Sequence, residues 1–446
     1  MFHTVIQEEK PMLLQFNFSN YKSFANETTL DLTATGISEL SHHVIHIGKE
    51  RLLPVAAIFG ANASGKSHVY QAFSYMRHMV LQSFSYGGNM ALSAVAEDAH
   101  YRKPPSFAFD QRRGEPVTCE VHIIDRGTKR LIIYGFSADD QGIVEEWLYE
   151  RAKTAKKNRL IMYRDRAQKM LEMPGFSSSE QTNISTALEP EALVVSLGAK
   201  LKVEKCVRLL NWFIQCETID YGHPGENLFR STRIPQKFQS AEVQEAVLKF
   251  LTSFDDSIKG FRVEEVPPQE DANSPKYLVK TLHNALDSEG MIALDLGQES
   301  AGTLKLFSLY PSLVSALTHG SVIFVDELNA RLHPLLMRNL INLFAHESSN
   351  PNHAQLIFTT HDTWHLANHS LRRDEIWFTD KQSHGESTLY SLAEFACEGG
   401  EKIRKDENYE KNYLSGKYRA IPTLKTITLT FPDFAEIATG ERDSHE

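Results

Sequence analysis

The chain has 446 residues, of which 41% are hydrophobic and 23% charged, and its formal net charge is −10. This usage fits a folded, core-forming protein with two or three domains, or one large domain with insertions. No apolar run approaches the length of a membrane span, the N-terminal segment lacks a basic stretch followed by an apolar one, and Cys119, Cys206, Cys216 and Cys397 show no CxxC spacing, so the expectation is a cytoplasmic protein without membrane contact, zinc or disulfide framework.

Leu14, Phe16 and Phe18 alternate with polar residues as in a half-buried strand, and a second strand near Thr28–Leu32 would pair back on it. Residues 54–59 form a continuous apolar run, as in a parallel strand buried on both faces, and His68–Met79 reads as a helix. Between Phe107 and Asp165 the period becomes two. Cys119–Ile124, Leu131–Phe136 and Ile143–Tyr149, separated by turn signals, predict an antiparallel meander. Ser177–Ser185 is polar and reads as a mobile loop. Val203–Gln215 and Ala241–Leu251 carry helical spacing, and strands return at Phe261–Val266, Tyr277–Leu282 and Ile292–Leu296. Thr303–Leu317, Ser321–Val325, Pro334–Ala345 and Gln355–Thr359 alternate helix and strand, which implies parallel βαβ units. Ile376–Phe378 and Ser387–Tyr390 would continue the sheet edge. Trp212 and Trp377 read as core.

Gly60-Ala61-Asn62-Ala63-Ser64-Gly65-Lys66-Ser67 fits GxxxxGK[ST] between a buried strand and a helix, the setting a phosphate-binding loop requires. Gly60 and Gly65 would give the loop its backbone freedom, with Asn62 and His68 beside the nucleotide. Lys66 would bridge β- and γ-phosphates, and Ser67 would ligate Mg²⁺. Residues 322–327 are an apolar strand ending in two acids: Asp326 suits the metal, and Glu327 the attacking water. Residues 358–362 close another strand on His361, either a γ-phosphate sensor or a surface histidine. Glu299-Ser300-Ala301-Gly302-Thr303 opens a helix. Ser300 and Gly302 there would meet the γ-phosphate held by a second subunit, or Ser300 and Thr303 would simply cap the helix. ATP and Mg²⁺ are the expected cofactors, since no guanine-type NKxD motif is present.

Two further segments carry competing readings. Residues 151–169 hold eight Lys or Arg in nineteen residues, either a nucleic-acid patch or a solvated hairpin. Ser41-His42-His43-Val44-Ile45-His46 is histidine-rich, but no acidic or cysteine partner completes a metal site in the sequence.

With the glycine loop, ESAGT, VDELNARLHP and TTHD in that order, the chain resembles an ABC-type ATPase of the SMC/RecF kind. More closely it is similar to the AbiLi/RloA-like ATPases associated with abortive infection and anti-phage defence. Residues 18–24, 143–149, 374–378 and 413–422 extend the resemblance along nearly the whole chain. It departs in ESAGT replacing LSGGQ, in Asn329 where many such loops carry Asp, and in Arg419 where a glycine is common. The resemblance implies an α/β P-loop NTPase of ABC/SMC-head type: a mixed sheet with flanking helices, an antiparallel β insertion and a helical lobe. The segments are then 12–105 and 291–422 for the ATPase core, 106–290 for the insertion, and 423–446 for an extension. It also implies a head-to-tail ATP-sandwich homodimer or higher oligomer, and a nuclease-like effector of the RloB or TOPRIM type controlled by nucleotide state. A RecF-like clamp on duplex DNA and an ATP-assembled scaffold with little turnover are the competing functions. The glutamine loop expected within Met79–Phe109 has no residue-level assignment.

Overall fold

A computed structural model of the chain describes residues 11–86, 103–110, 114–223, 225, 234–266, 276–286, 289–367, 370–395 and 403–421. Cys397, most of the span expected to hold the glutamine loop, Pro422 and the 423–446 extension lie outside these described residues. In chain order come β1 (Met12–Ser19), β2 (Thr28–Asp31), β3 (Ile45–Ile47), β4 (Glu50–Leu52), β5 (Val55–Gly60) and α1 (Lys66–Gln82). Next are β6 (Val117–Ile124), β7 (Leu131–Asp139), β8 (Gly142–Arg151), β9 (Arg159–Asp165) and β10 (Met170–Glu172). A helical stretch follows with α2 (Ser178–Ala187), α3 (Val194–Lys200) and α4 (Glu204–Gln215), then β11 (Glu217–Asp220) and α5 (Ala241–Thr252). The rest comprises β12 (Ile258–Val266), β13 (Lys276–Asn284), β14 (Met291–Asp295), α6 (Ala301–His319), β15 (Val322–Asp326) and α7 (Pro334–Ala345). It ends with β16 (Gln355–Thr359), β17 (Ile376–Lys381), β18 (Ser387–Ser391) and α8 (Tyr409–Leu414).

The architecture is mixed α/β. A core sheet of order β11-β15-β16-β5-β17-β18 is parallel throughout except for the antiparallel β18. Every residue of β5, β15 and β16 is buried, as a sheet covered on both faces requires. A second, antiparallel sheet runs β10-β9-β8-β7-β6-β1-β2. The meander therefore shares one sheet with the N-terminal strands, and the 105/106 boundary runs through it: Phe16 of β1 faces Val121 of β6 and Leu30 of β2.

Helix α1 lies between the two sheets. Its Tyr70 and Phe73 pack on Phe324 of β15, while Phe73 also meets Phe16 of β1 edge-on. Ala56 and Ile58 of β5 face this side, whereas Val55, Ala57 and Phe59 face the opposite core built with α5, α6 and α7. Alternation along one strand thus sets two hydrophobic cores on its two faces. A three-stranded sheet, β12-β13-β14, packs beside α5 on the second side. Trp212 and Trp377 are buried in the core beside α1. Among the described residues no helix is long and apolar enough to cross a membrane.

Three expectations are corrected. The run 177–185 is not a loop: Ser177 caps the helix α2, Ser178–Ala187, through a reciprocal capping box with Glu180. Ile376–Phe378 is not at an edge: β17 lies inside the sheet beside β5, and β18 forms that edge. The opposite edge is β11, a four-residue strand within a stretch that reads as helical in the sequence. Its length gives periodicity too little to work on.

Candidate functional site

The phosphate loop connects the carboxyl end of β5 to α1. Gly60 (φ 155°) lies so close to β17 that a Cβ would sit 2.4 Å from Thr379 Oγ1. Gly65 (φ 113°) is the N-cap of α1, where a Cβ would meet Ser387 Oγ at 2.8 Å. The cap offers no side chain to the first-turn N–H groups, which leaves the helix end able to receive an anion. Asn62 stands exposed on the crest, while Ser64 is buried and shares a 2.5 Å hydrogen bond with Thr379.

Lys66 is buried, and its ammonium donates to Gly60 O (3.0 Å) and Ala61 O (2.9 Å). Burial pulls its pKa down to about 8, against the opposing attraction of Asp326 and Glu327. The lysine is thus within electrostatic reach of both acids. His68 is differently engaged. Its Nδ1 pairs with Ser23 Oγ at 2.7 Å and its N–H donates to Gly65 O. Burial, then the charges of Lys22 and Lys381, push its pKa down to about 4, so the ring is neutral near pH 7.

Parallel pairing of β15 with β16 delivers the two acids and His361 to the same end of the sheet as the loop. Asp326 is almost fully buried, which raises its pKa. Its carboxylate accepts from Thr359 Oγ1 at 2.5 Å and from the Ser67 hydroxyl. The same Thr359 oxygen accepts the Glu327 N–H at 2.8 Å. Glu327 adopts φ 53°, a left-handed conformation rare for a side chain of this kind. His361 Nε2 lies 4.0 Å from Glu327 Oε1, and burial lowers the histidine's pKa.

These residues fit the expected cofactors. A buried ammonium and an uncapped helix end suit phosphates, and a buried carboxylate hydrogen-bonded to a hydroxyl is the hard-oxygen set that Mg²⁺ prefers. Ser300 caps α6, accepting from Thr303 N–H at 3.1 Å, and Gly302 lies where a Cβ would be 3.0 Å from Arg331 O. This helix start therefore packs on the loop following the acid pair of its own chain.

Three participants escape sequence reasoning. Lys305, one turn into α6, donates to the carbonyls of Glu327 (3.2 Å), Leu328 (2.8 Å) and Ala330 (2.8 Å), with Tyr221 beneath it at 3.8 Å. Burial lowers its pKa to about 7. Asp220 ends β11 directly opposite Asp326, and Tyr221 N–H donates to Asp326 O. Lys305 has a faint sequence signal, a lone charge in the apolar run LKLFSL; Asp220 has none.

Other motif residues prove to be structural staples. Glu146 accepts from Val194 N–H, Val195 N–H and Tyr134 Oη, so it caps α3 from β8. His43, in the histidine-rich segment, does have an acidic partner: its Nδ1 meets Glu375 at 2.9 Å. That pairing spans 332 residues, so the sequence could not show it. Among the described residues no group of three His, Cys, Asp or Glu could hold a metal ion.

No curated protein matches the chain. The family model described as "AAA domain, putative AbiEii toxin, Type IV TA system" matches residues 55–364, from the first residue of β5 through α6, β15 and β16 to just past His361. That match covers well over half of the chain and contains the phosphate loop, the acid pair and the histidine brought together above. The chain belongs to this AAA family of P-loop ATPases.

Proposed function

We propose that the protein is a Mg²⁺-dependent ATP hydrolase of ABC/SMC-head organisation, whose nucleotide state switches a partner effector in abortive-infection or toxin–antitoxin defence. The observation that carries the enzymatic part is the Thr359 hydroxyl, which ties Asp326 to the backbone of Glu327 beside Lys66 and His361. Bound Mg²⁺–ATP supplies the phosphoryl bond to be broken and the charge neutralisation around it. Lys66 and the loop amides would bind phosphate oxygens, and Ser67 with Asp326 would hold the metal. Glu327 accepts a proton from the attacking water, and His361 orients at its side.

The ABC/SMC-head reading draws support from the antiparallel sheet that covers α1 and from the ESAGT turn seated on the loop after the acid pair. In this reading Ser300 and Gly302 complete the site of a second copy, in a homodimer or larger oligomer. The defence role draws support from the family's description, and a nuclease of RloB or TOPRIM type is the proposed effector.

Glu327→Gln is the test. Hydrolysis should fall by about 100-fold or more while ATP binding persists. Wild-type turnover by this variant would remove Glu327 as the base. Size-exclusion chromatography of the variant with ATP should reveal a dimer that Ser300→Arg abolishes.

A further inference from the structure

The basic run at residues 151–169 is dismantled by the fold. Arg164 is buried and donates to Ala192 O, and Arg166 pairs with Asp139, so both serve the lobe itself. The remaining cations at the β8–β9 turn gain neighbours from two other turns. The β3–β4 hairpin and the β6–β7 turn end beside them, and together they border a recess of about 150 Å³ whose rim carries Lys49, Lys129, Arg151 and Lys153 against the one acid Glu50, over an apolar floor that includes Ile124 and Leu131. Gly48 lines it as well, and a Cβ there would lie 3.9 Å from both the Lys129 and the Lys153 side chain. Counting the flanking strand residues, positions 48–51, 125–130 and 150–159 hold ten Lys or Arg against three Asp or Glu, in a chain whose net charge is −10. Lys49, Arg151, Lys153, Lys156, Lys157 and Arg159 have no ion-pair partner among the described residues.

This pole is remote from the Gly60–Ser67 loop. Arg126 of the β6–β7 turn donates to Asn352 O, just before β16 begins, and Leu13 at the start of β1 bonds Gln355. The phosphate loop leaves the other end of β5, a strand six residues long, or about 20 Å.

We propose that this pole is a docking surface for the backbone of duplex nucleic acid, read without regard to sequence. The cations are spread across the ends of β6 to β9, neighbouring strands spaced at about 4.8 Å, so they match a row of phosphates better than one small anion. The tips, residues 48–50, 125–130 and 152–158, contain no aromatic or large aliphatic side chain. Insertion into a lipid surface and stacking on unpaired bases both require such side chains. The inference does not depend on whether the chain hydrolyses ATP.

The test is fluorescence anisotropy of a labelled duplex of arbitrary sequence, titrated with full-length protein over a range of salt. The fourfold variant Lys153→Gln/Lys156→Gln/Lys157→Gln/Arg159→Gln should weaken binding at least tenfold, and its log K–log salt slope should shrink by about 0.9 per lost phosphate contact. Lys49→Gln/Lys129→Gln, on the other two turns, should weaken it in the same direction. Thermal unfolding and ATP turnover, measured on the same samples, should match wild type, which separates this surface from the catalytic reading. The proposal is overturned if the fourfold variant keeps wild-type affinity and salt slope. It is equally overturned if the wild type binds anionic phosphatidylserine vesicles and not duplex, or binds neither.

Discussion

Thr359 donates its hydroxyl hydrogen to the buried carboxylate of Asp326 at 2.5 Å, and the same oxygen accepts the N–H of Glu327 at 2.8 Å. One side chain on β16 therefore fixes both acids at the end of β15. Thr359→Val preserves shape but removes both bonds. It should cost about 1–3 kcal/mol in urea denaturation, because a buried donor and acceptor lose their partners. Steady-state turnover should fall at least tenfold, and Thr359→Ser should restore it. Unchanged turnover in Thr359→Val would separate this hydroxyl from catalysis.

Lys305 gives a pH signature. Its folded pKa of about 7, set by burial, lies below the roughly 10.4 of an unfolded lysine. Below pH 7 both states are charged, and the burial cost is felt in full. Between about 7 and 10 the unfolded chain binds more protons, so folding stability rises with pH. Lys305→Met should flatten that rise relative to wild type in melts taken across this range. Parallel curves for the two proteins would refute the assignment.

The carbonyls held by Lys305 belong to the loop that carries Glu327, so the same variant should alter catalysis. The expected pattern is a lower kcat with little change in KM, since the proposed phosphate contacts come from the other loop. Lys305→Arg, with a longer fork, should recover only part of it.

Glu146 caps α3 from a neighbouring sheet, fully buried between two helix N–H groups and the Tyr134 hydroxyl. Glu146→Ala strands all three and removes the carboxylate facing Arg164. About 3–5 kcal/mol of stability should be lost in thermal or urea unfolding. Glu146→Gln keeps an acceptor oxygen and should lose clearly less.

Arg419 adopts φ 67° beside the buried Tyr418. Glycine takes that conformation without penalty, which explains why a glycine would be at home there. Arg419→Gly should stabilise the protein by about 1 kcal/mol, and Arg419→Ala should not. Equal melting points for the two variants would show that the side chain, not the backbone, decides.

What the sequence shows best is whatever is local. The glycine loop, the apolar strands 55–60 and 322–326 and the helix after Lys66 depend on neighbours within a few residues, and their patterns are strong. Asp220, Tyr221 and Lys305 reach the site only through tertiary pairing, across 106 residues in the case of Asp220 opposite Asp326. Apart from the lone charge of Lys305 in an apolar run, nothing near them in sequence announces it. Asp374 and Glu375 are likewise placed by partners mostly far away in sequence: two adjacent acids before a strand, they are buried against Arg372, Thr35 and His43. The polar run at 177–185 misleads because a capping box makes a helix from residues that hydropathy assigns to solvent.

The placement of β5 has a consequence for how the protein comes into being. Its two hydrogen-bonded neighbours are β16 and β17, residues 355–381, although β5 itself is finished by residue 60. During synthesis, at about 5–20 residues per second, the strand behind the phosphate loop waits for nearly the whole chain before either flank arrives. The antiparallel lobe, joined by successive hairpins, has no such delay. Assembly is therefore ordered, lobe first and ATP-binding end last, and a ribosome that stops before residue 355 releases a product with no framework for gripping phosphate. Such late closure places the sheet behind the phosphate loop among the last parts of the fold to form.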